Sequence, residues 1–140
     1  MESGNNMGTF INTEQATITL CVELIQGALP ECDDLRKAQY RGDANPLTGH
    51  CYVASEVLLC MLRNFNYVAK PMFIRHEGEP HWYLEVEGVG VVDPTVGQFS
   101  LTPNYTDGRG KGFLTSFLSK RALTLVKRMG QKMWGDPKDA

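Results

Sequence analysis

Cys51, His81 and Asp93 are the three side chains of this sequence whose types and order could together break an acyl bond. A thiol is a weak nucleophile until it loses its proton. Gly49, just ahead of Cys51, lets the backbone turn sharply. The apolar pattern that follows is helical, so the thiol falls in a first helical turn. There, N–H groups and the helix dipole favour negative charge and can hold an oxyanion. His81 follows Pro80 at the start of an alternating segment, 30 residues beyond Cys51. An imidazole beside a thiol can take its proton and return it to a leaving amine. Asp93 precedes Pro94, which favours an extended backbone and holds the carboxylate at a strand end, where it can orient the imidazole. Each residue has a plainer reading by itself: a packing cysteine, a surface histidine, an Asp-Pro turn. The signal lies in the joint arrangement.

The elements that must position them follow from periodicity. Thr13 can cap a helix from about Glu14 to Gly27, with Ala16, Leu20, Cys21, Leu24, Ile25 and Ala28 inward. Pro30 ends it, and Glu31 to Ala38 can form a further short helix. Tyr40 to Gly49 is a loop. Cys51 to Asn64 is the clearest helix, with Thr48 as its expected N-cap. Val53, Ala54, Val57, Leu58, Met61 and Leu62 form its stripe, and Ser55, Glu56 and Arg63 point elsewhere. Val68 to Arg75 reads as a strand interrupted by Pro71, hence an edge or bulged one. After the turn Glu77–Pro80, His81 to Glu87 alternates, with Trp82, Leu84 and Val86 on one face. Gly88 permits a reversal into Gly90–Val92, which sets His81 and Asp93 at the same end of a hairpin. Pro94 to Gly112 reads as irregular. A last helix is expected from Ser119 to Met133, with Ala122, Leu125, Val126, Met129 and Met133 inward. This order predicts an α+β domain over residues 13–140, with helices packed on one small antiparallel sheet, behind a flexible lead-in over 1–12.

Gly49-His50-Cys51-Tyr52, Pro80-His81-Trp82-Tyr83-Leu84-Glu85-Val86 and Val92-Asp93-Pro94-Thr95 resemble the transglutaminase-like core of the papain-like cysteine enzymes. The resemblance spans about Thr48 to Gln98, and the chain's small size resembles that of phage-borne members. It implies a papain/transglutaminase-like fold with the nucleophile helix on the sheet. Cys51 would be the nucleophile, His81 the base and Asp93 the orienter. It also implies thioester chemistry: amide cleavage, deamidation or acyl transfer to an amine. The chain departs from the large transglutaminases in length and in having no evident calcium site, so protein cross-linking is not the leading expectation.

A second oxyanion donor is expected upstream, from Tyr40, Asn45 or His50; His50 is also an alternative base. Tyr52, Tyr83 and Gln98 can line the cleft, and Trp82 is expected in the core rather than against substrate. Cys21, Cys32 and Cys60 read as packing or surface thiols, and His76 as a turn residue without a chemical role. Gly108-Arg109-Gly110-Lys111-Gly112 departs from the phosphate-loop pattern and reads as a mobile loop over the cleft.

The cysteine spacings contain no C-x2-C pair, so neither a metal nor any other cofactor is expected. No apolar run is long enough for a bilayer, and the N-terminus lacks a secretion signal, so a reduced, cytoplasmic protein is expected. Residues 1–98 carry 6 basic and 13 acidic side chains, and residues 99–140 carry 8 and 3. The plain reading is a basic helix beside an acidic body. The alternative is an inactive member that binds or inhibits a partner, contacting an acidic protein or nucleic acid through the basic C-terminal region. The expected partner is a protein, peptide or small amide or acyl substrate, with nucleic acid ranked last.

Overall fold

In the computed structural model, which describes residues 13–114 and 117–135, three helices pack on a four-stranded antiparallel sheet. The lead-in expected over 1–12 lies outside the described residues. Helix α1 spans Thr13–Ala28, α2 Cys51–Asn64 and α3 Lys120–Trp134. The strands are β1 (Ala69–His76), β2 (Glu79–Val86), β3 (Gly90–Val92) and β4 (Arg109–Gly110), in the order β3-β2-β1-β4.

Helix α2 packs against α1, α3, β1 and β2, and is buried nearly all round. Ser55 and Glu56, expected to point away from the apolar stripe, are therefore also fully buried. A helix at the centre of its layer has no solvent face to give them. Glu56 is satisfied there by Ser119, the N-cap of α3, whose backbone N–H and hydroxyl each donate to its carboxylate over 2.7 Å.

Helix α1 buries Ile18, Cys21, Ile25 and Ala28. Leu20 and Ala16, expected inward, are exposed. Each lies two residues from Ile18, about 200° around the helix, on its far side. In α3 the buried residues are Ala122, Leu125 and Met129, while Val126 and Met133 are exposed, against expectation. Three of its cations turn toward the segment after α1. Arg128 forms two bonds to Asp34 (2.7 and 2.8 Å), Lys132 reaches Glu31 (3.2 Å), and Arg121 donates to Leu35 O (2.8 Å). That segment, expected as one short helix, is a series of 3-10 turns at Leu29–Glu31, Asp33–Leu35 and Ala38–Tyr40.

The β1–β2 hairpin closes through Glu77 and Gly78, both at positive φ (53° and 81°), the geometry of a two-residue I′ turn. Contrary to the expectation of an edge or bulged strand at Pro71, β1 lies inside the sheet, because the two-residue β4 pairs with the adjacent Met72 and Phe73. The Pro71 carbonyl accepts from Lys111 N, on the β4 side. A residue's N–H and C=O point to the same side of a strand, so the missing proline donor removes no bond to β2. β4 thus occupies part of the segment expected to be irregular, and Arg109–Gly110 line the sheet rather than roof a cleft.

The sheet is covered on both sides. Leu84, Val86 and Ala69 join the core under the helices. Met72, Ile74 and Tyr83 form a second cluster on the opposite side, with Tyr105 against it. The chain between β3 and β4 supplies that cover. Among the described residues, no helix is long and apolar enough to cross a membrane.

Candidate active site

The approach to Cys51 is held by a buried arginine. The Arg36 guanidinium donates to the carbonyls of Tyr40 (3.0 Å), Asp43 (3.1 Å) and Asn45 (3.1 Å), and to His50 Nε2 (3.4 Å). Those four groups span the loop that leads into α2, so one side chain fixes its path. The loop ends at Gly49, whose φ is 82°. A Cβ there would stand 2.7 Å from Cβ and Cγ of Tyr40, so both backbone and space require glycine. The N-cap of α2 is His50, not Thr48, and it makes no side-chain cap bond. The first rung of the helix is Ala54 N–H to His50 O (2.9 Å). The N–H groups ahead of that rung, Cys51's among them, belong to the helix tip.

His81 lies on β2, facing away from the helices and fully buried. Its Nε2 is 2.6 Å from Asp93 Oδ2. Cys51 is close enough to act on the imidazole alongside Asp93. Burial by itself would push the imidazole pKa down. The bond to Asp93, then the nearness of Cys51, and the Asp93 charge outweigh it and raise the pKa to about 9. The β2–β3 register pairs Leu84 with Val92, so one further step sets Asp93 opposite Tyr83, on the His81 face. This is the hairpin geometry expected from the Gly88 reversal. The Asp93 side chain is 3% exposed. Its Oδ1 accepts from Thr95 N (3.2 Å), and Oδ2 also accepts from the Tyr105 hydroxyl (2.7 Å). Phe99 closes on the imidazole edge-on, with centroids 4.7 Å apart.

The remaining candidates divide. Gln98 stands at the site: its Nε2 donates to Thr95 Oγ1 (2.9 Å) and lies 3.5 Å from His81 Nδ1. Tyr40 is close enough to feel the charge of Cys51, but its hydroxyl donates to Glu79 Oε1 (2.7 Å). Asn45 braces the loop, with Nδ2 on Gly97 O (3.0 Å) and Oδ1 accepting from Leu47 N (2.9 Å). His50 turns to Arg36. Burial first, then the Arg36 and Arg121 charges, lower its pKa to about 4 and keep it neutral. Tyr52 and Trp82 meet edge to face at 5.1 Å, and Phe113 joins both. Trp82 is 5% exposed, a core residue as expected.

Arg36, Phe99 and Tyr105 are the neighbours that sequence reasoning passed over. Arg36 works through backbone carbonyls, which leave no mark in a residue pattern. Asn104 signals the turn that carries Tyr105, but nothing local identifies Asp93 as its partner. A groove of about 470 Å³ runs along Val68–Lys70 and Glu85–Gly90, at the opposite end of the β1–β2 ladder from His81, and takes no part in the site.

No protein-family model matches the chain, and no curated protein or solved structure matches it either.

Proposed function

We propose that the chain is a cysteine hydrolase or acyltransferase of the papain/transglutaminase-like kind, acting on an amide or other acyl bond. The observation that carries the reading is the His81 imidazole, bonded to Asp93 and close enough to Cys51 for the sulfur to act on it. In the proposed reaction His81 carries the proton of the Cys51–His81 pair, and the Cys51 sulfur attacks the carbonyl carbon. Backbone N–H groups at the tip of α2 hold the resulting oxyanion, and the Gln98 amide is the second donor. Collapse breaks the bond to the leaving group, which takes the proton from His81, and leaves a thioester on Cys51. Water or an amine, deprotonated by His81, attacks the thioester and releases the thiolate. Protease and deamidase types both admit water last and differ in whether a peptide amine or ammonia leaves; the transglutaminase type admits an amine instead of water.

The other cysteines make a test possible. Cys21 and Cys32 are buried, and desolvation raises both thiol pKa values; Cys60 is half-buried. Iodoacetamide is expected to alkylate Cys51 first, and Cys51→Ala to abolish acyl transfer while leaving the circular dichroism spectrum intact. Alkylation of Cys60 at the same rate as Cys51 would sink the proposal.

The alternative, a binding protein that presents its basic C-terminal helix to an acidic partner, is less favoured. Arg128 and Lys132 are paired with Asp34 and Glu31, and Arg121 is bonded to Leu35 O.

A further inference from the structure

Tyr105 belongs to no part of the proposed chemistry so far, yet its hydroxyl donates to the same Asp93 oxygen that holds His81. A carboxylate oxygen offers two lone pairs. On Oδ2 the imidazole (2.6 Å) and the phenol (2.7 Å) use both, and Thr95 N holds Oδ1 (3.2 Å). We infer that Tyr105 is a positioning residue, acting through Asp93 to fix its carboxylate on His81 and to temper the pull on the imidazole proton. The inference rests on the reading of Cys51, His81 and Asp93 as one chemical unit.

The local structure is built to deliver this hydroxyl. Asn104 caps the short turn Tyr105–Asp107, accepting from Thr106 N (3.4 Å) and Thr106 Oγ1 (2.7 Å). The Tyr105 ring packs on Tyr83, with centroids 4.8 Å apart, and on the cluster of Met72 and Ile74. A phenylalanine would fill that space equally well, so packing does not account for the oxygen. Burial first, then the bond to Asp93 and its charge, hold the phenol protonated far above the usual tyrosine range, so it remains a donor. The ionisable groups facing His81 are Asp93, Cys51 from α2 and Tyr83 from its own strand, with His76 beyond Phe99.

The test is Tyr105→Phe, read by the NMR titration of His81 and the pH profile of Cys51 alkylation. Relieved of one donor, the Asp93 carboxylate pulls harder on the imidazole proton. The His81 midpoint, about 9 in the wild type, should rise by about half a unit or more, and the alkylation profile should move with it. Placing 3-fluorotyrosine at position 105, a stronger donor of nearly the same shape, should lower the midpoint. Thr106→Val, which removes another bond of the same turn, should leave it unchanged. A midpoint that stays put or falls in folded Tyr105→Phe overturns the inference while leaving Cys51 preferentially reactive. Loss of that preference in the wild type would instead overturn the reading of the site.

Discussion

Glu56, in the middle of α2, accepts both the backbone N–H and the hydroxyl of Ser119, each over 2.7 Å, with its own side chain fully buried. The Ser119 hydroxyl in turn accepts from Ala122 N (3.2 Å), so one carboxylate anchors the start of α3 to the helix that begins with Cys51. Glu56→Ala leaves two part-buried donors of Ser119 without their acceptor and should cost about 2 kcal/mol. Thermal denaturation should show a fall on the order of 10 °C. Ser119→Ala keeps the backbone donor and should cost about 1 kcal/mol. Equal melting temperatures for wild type and Glu56→Ala would refute the anchor.

The two buried histidines predict the shape of the stability profile. His50 has a folded pKa of about 4 against 6.5 unfolded, so the unfolded chain binds the extra proton between those values. Stability should therefore decline as pH falls from about 6.5 toward 4. His81 has a folded pKa of about 9, so its contribution is complete below 6.5 and is lost as pH rises through 9. Maximal stability should lie near pH 6.5, with each limb amounting to at most about 3 kcal/mol. Urea unfolding across this range measures the profile. His50→Asn should flatten the acid limb and Asp93→Asn the alkaline one; limbs unchanged in both variants would contradict the assignment.

Gln98 separates two kinds of attack by the same sulfur. Alkylation by iodoacetamide passes through no oxyanion, whereas acylation by a p-nitrophenyl ester does. Gln98→Ala should leave alkylation of Cys51 within about twofold of wild type and slow acylation by on the order of a hundredfold. A variant that slows both equally would mean that Gln98 acts on His81 rather than on the carbonyl oxygen.

The legible parts of this structure were those governed by local rules. Period-two alternation from His81 and the glycines at 88 and 90 set the β2–β3 register, and with it the proximity of His81 and Asp93. The helical stripe of Cys51–Asn64 placed the thiol at a helix start. What escaped depends on distant partners. β4 is two residues long, one of them glycine, and carries no alternation; it is a strand because Met72 and Phe73 offer it an edge. Helix α1 has apolar residues on more than one face, and only its packing on α2 and α3 selects Ile18 over Leu20. Thr48 is not the cap because it still belongs to the loop turn, its N–H bonded to Asn45 O (3.2 Å), and the helix begins three residues later at Cys51, beyond the reach of its side chain.

The stretch between β3 and β4 supplies Asp93, Gln98, Phe99 and Tyr105, and it also shields Met72, Ile74 and Tyr83 from water. Grafting a different sequence there to change what the protein accepts would strip the hydrophobic underside of the sheet. Changes in the Tyr40–Gly49 turn act instead on the approach to Cys51, through the carbonyls that hold Arg36 and the close fit of Gly49 against Tyr40.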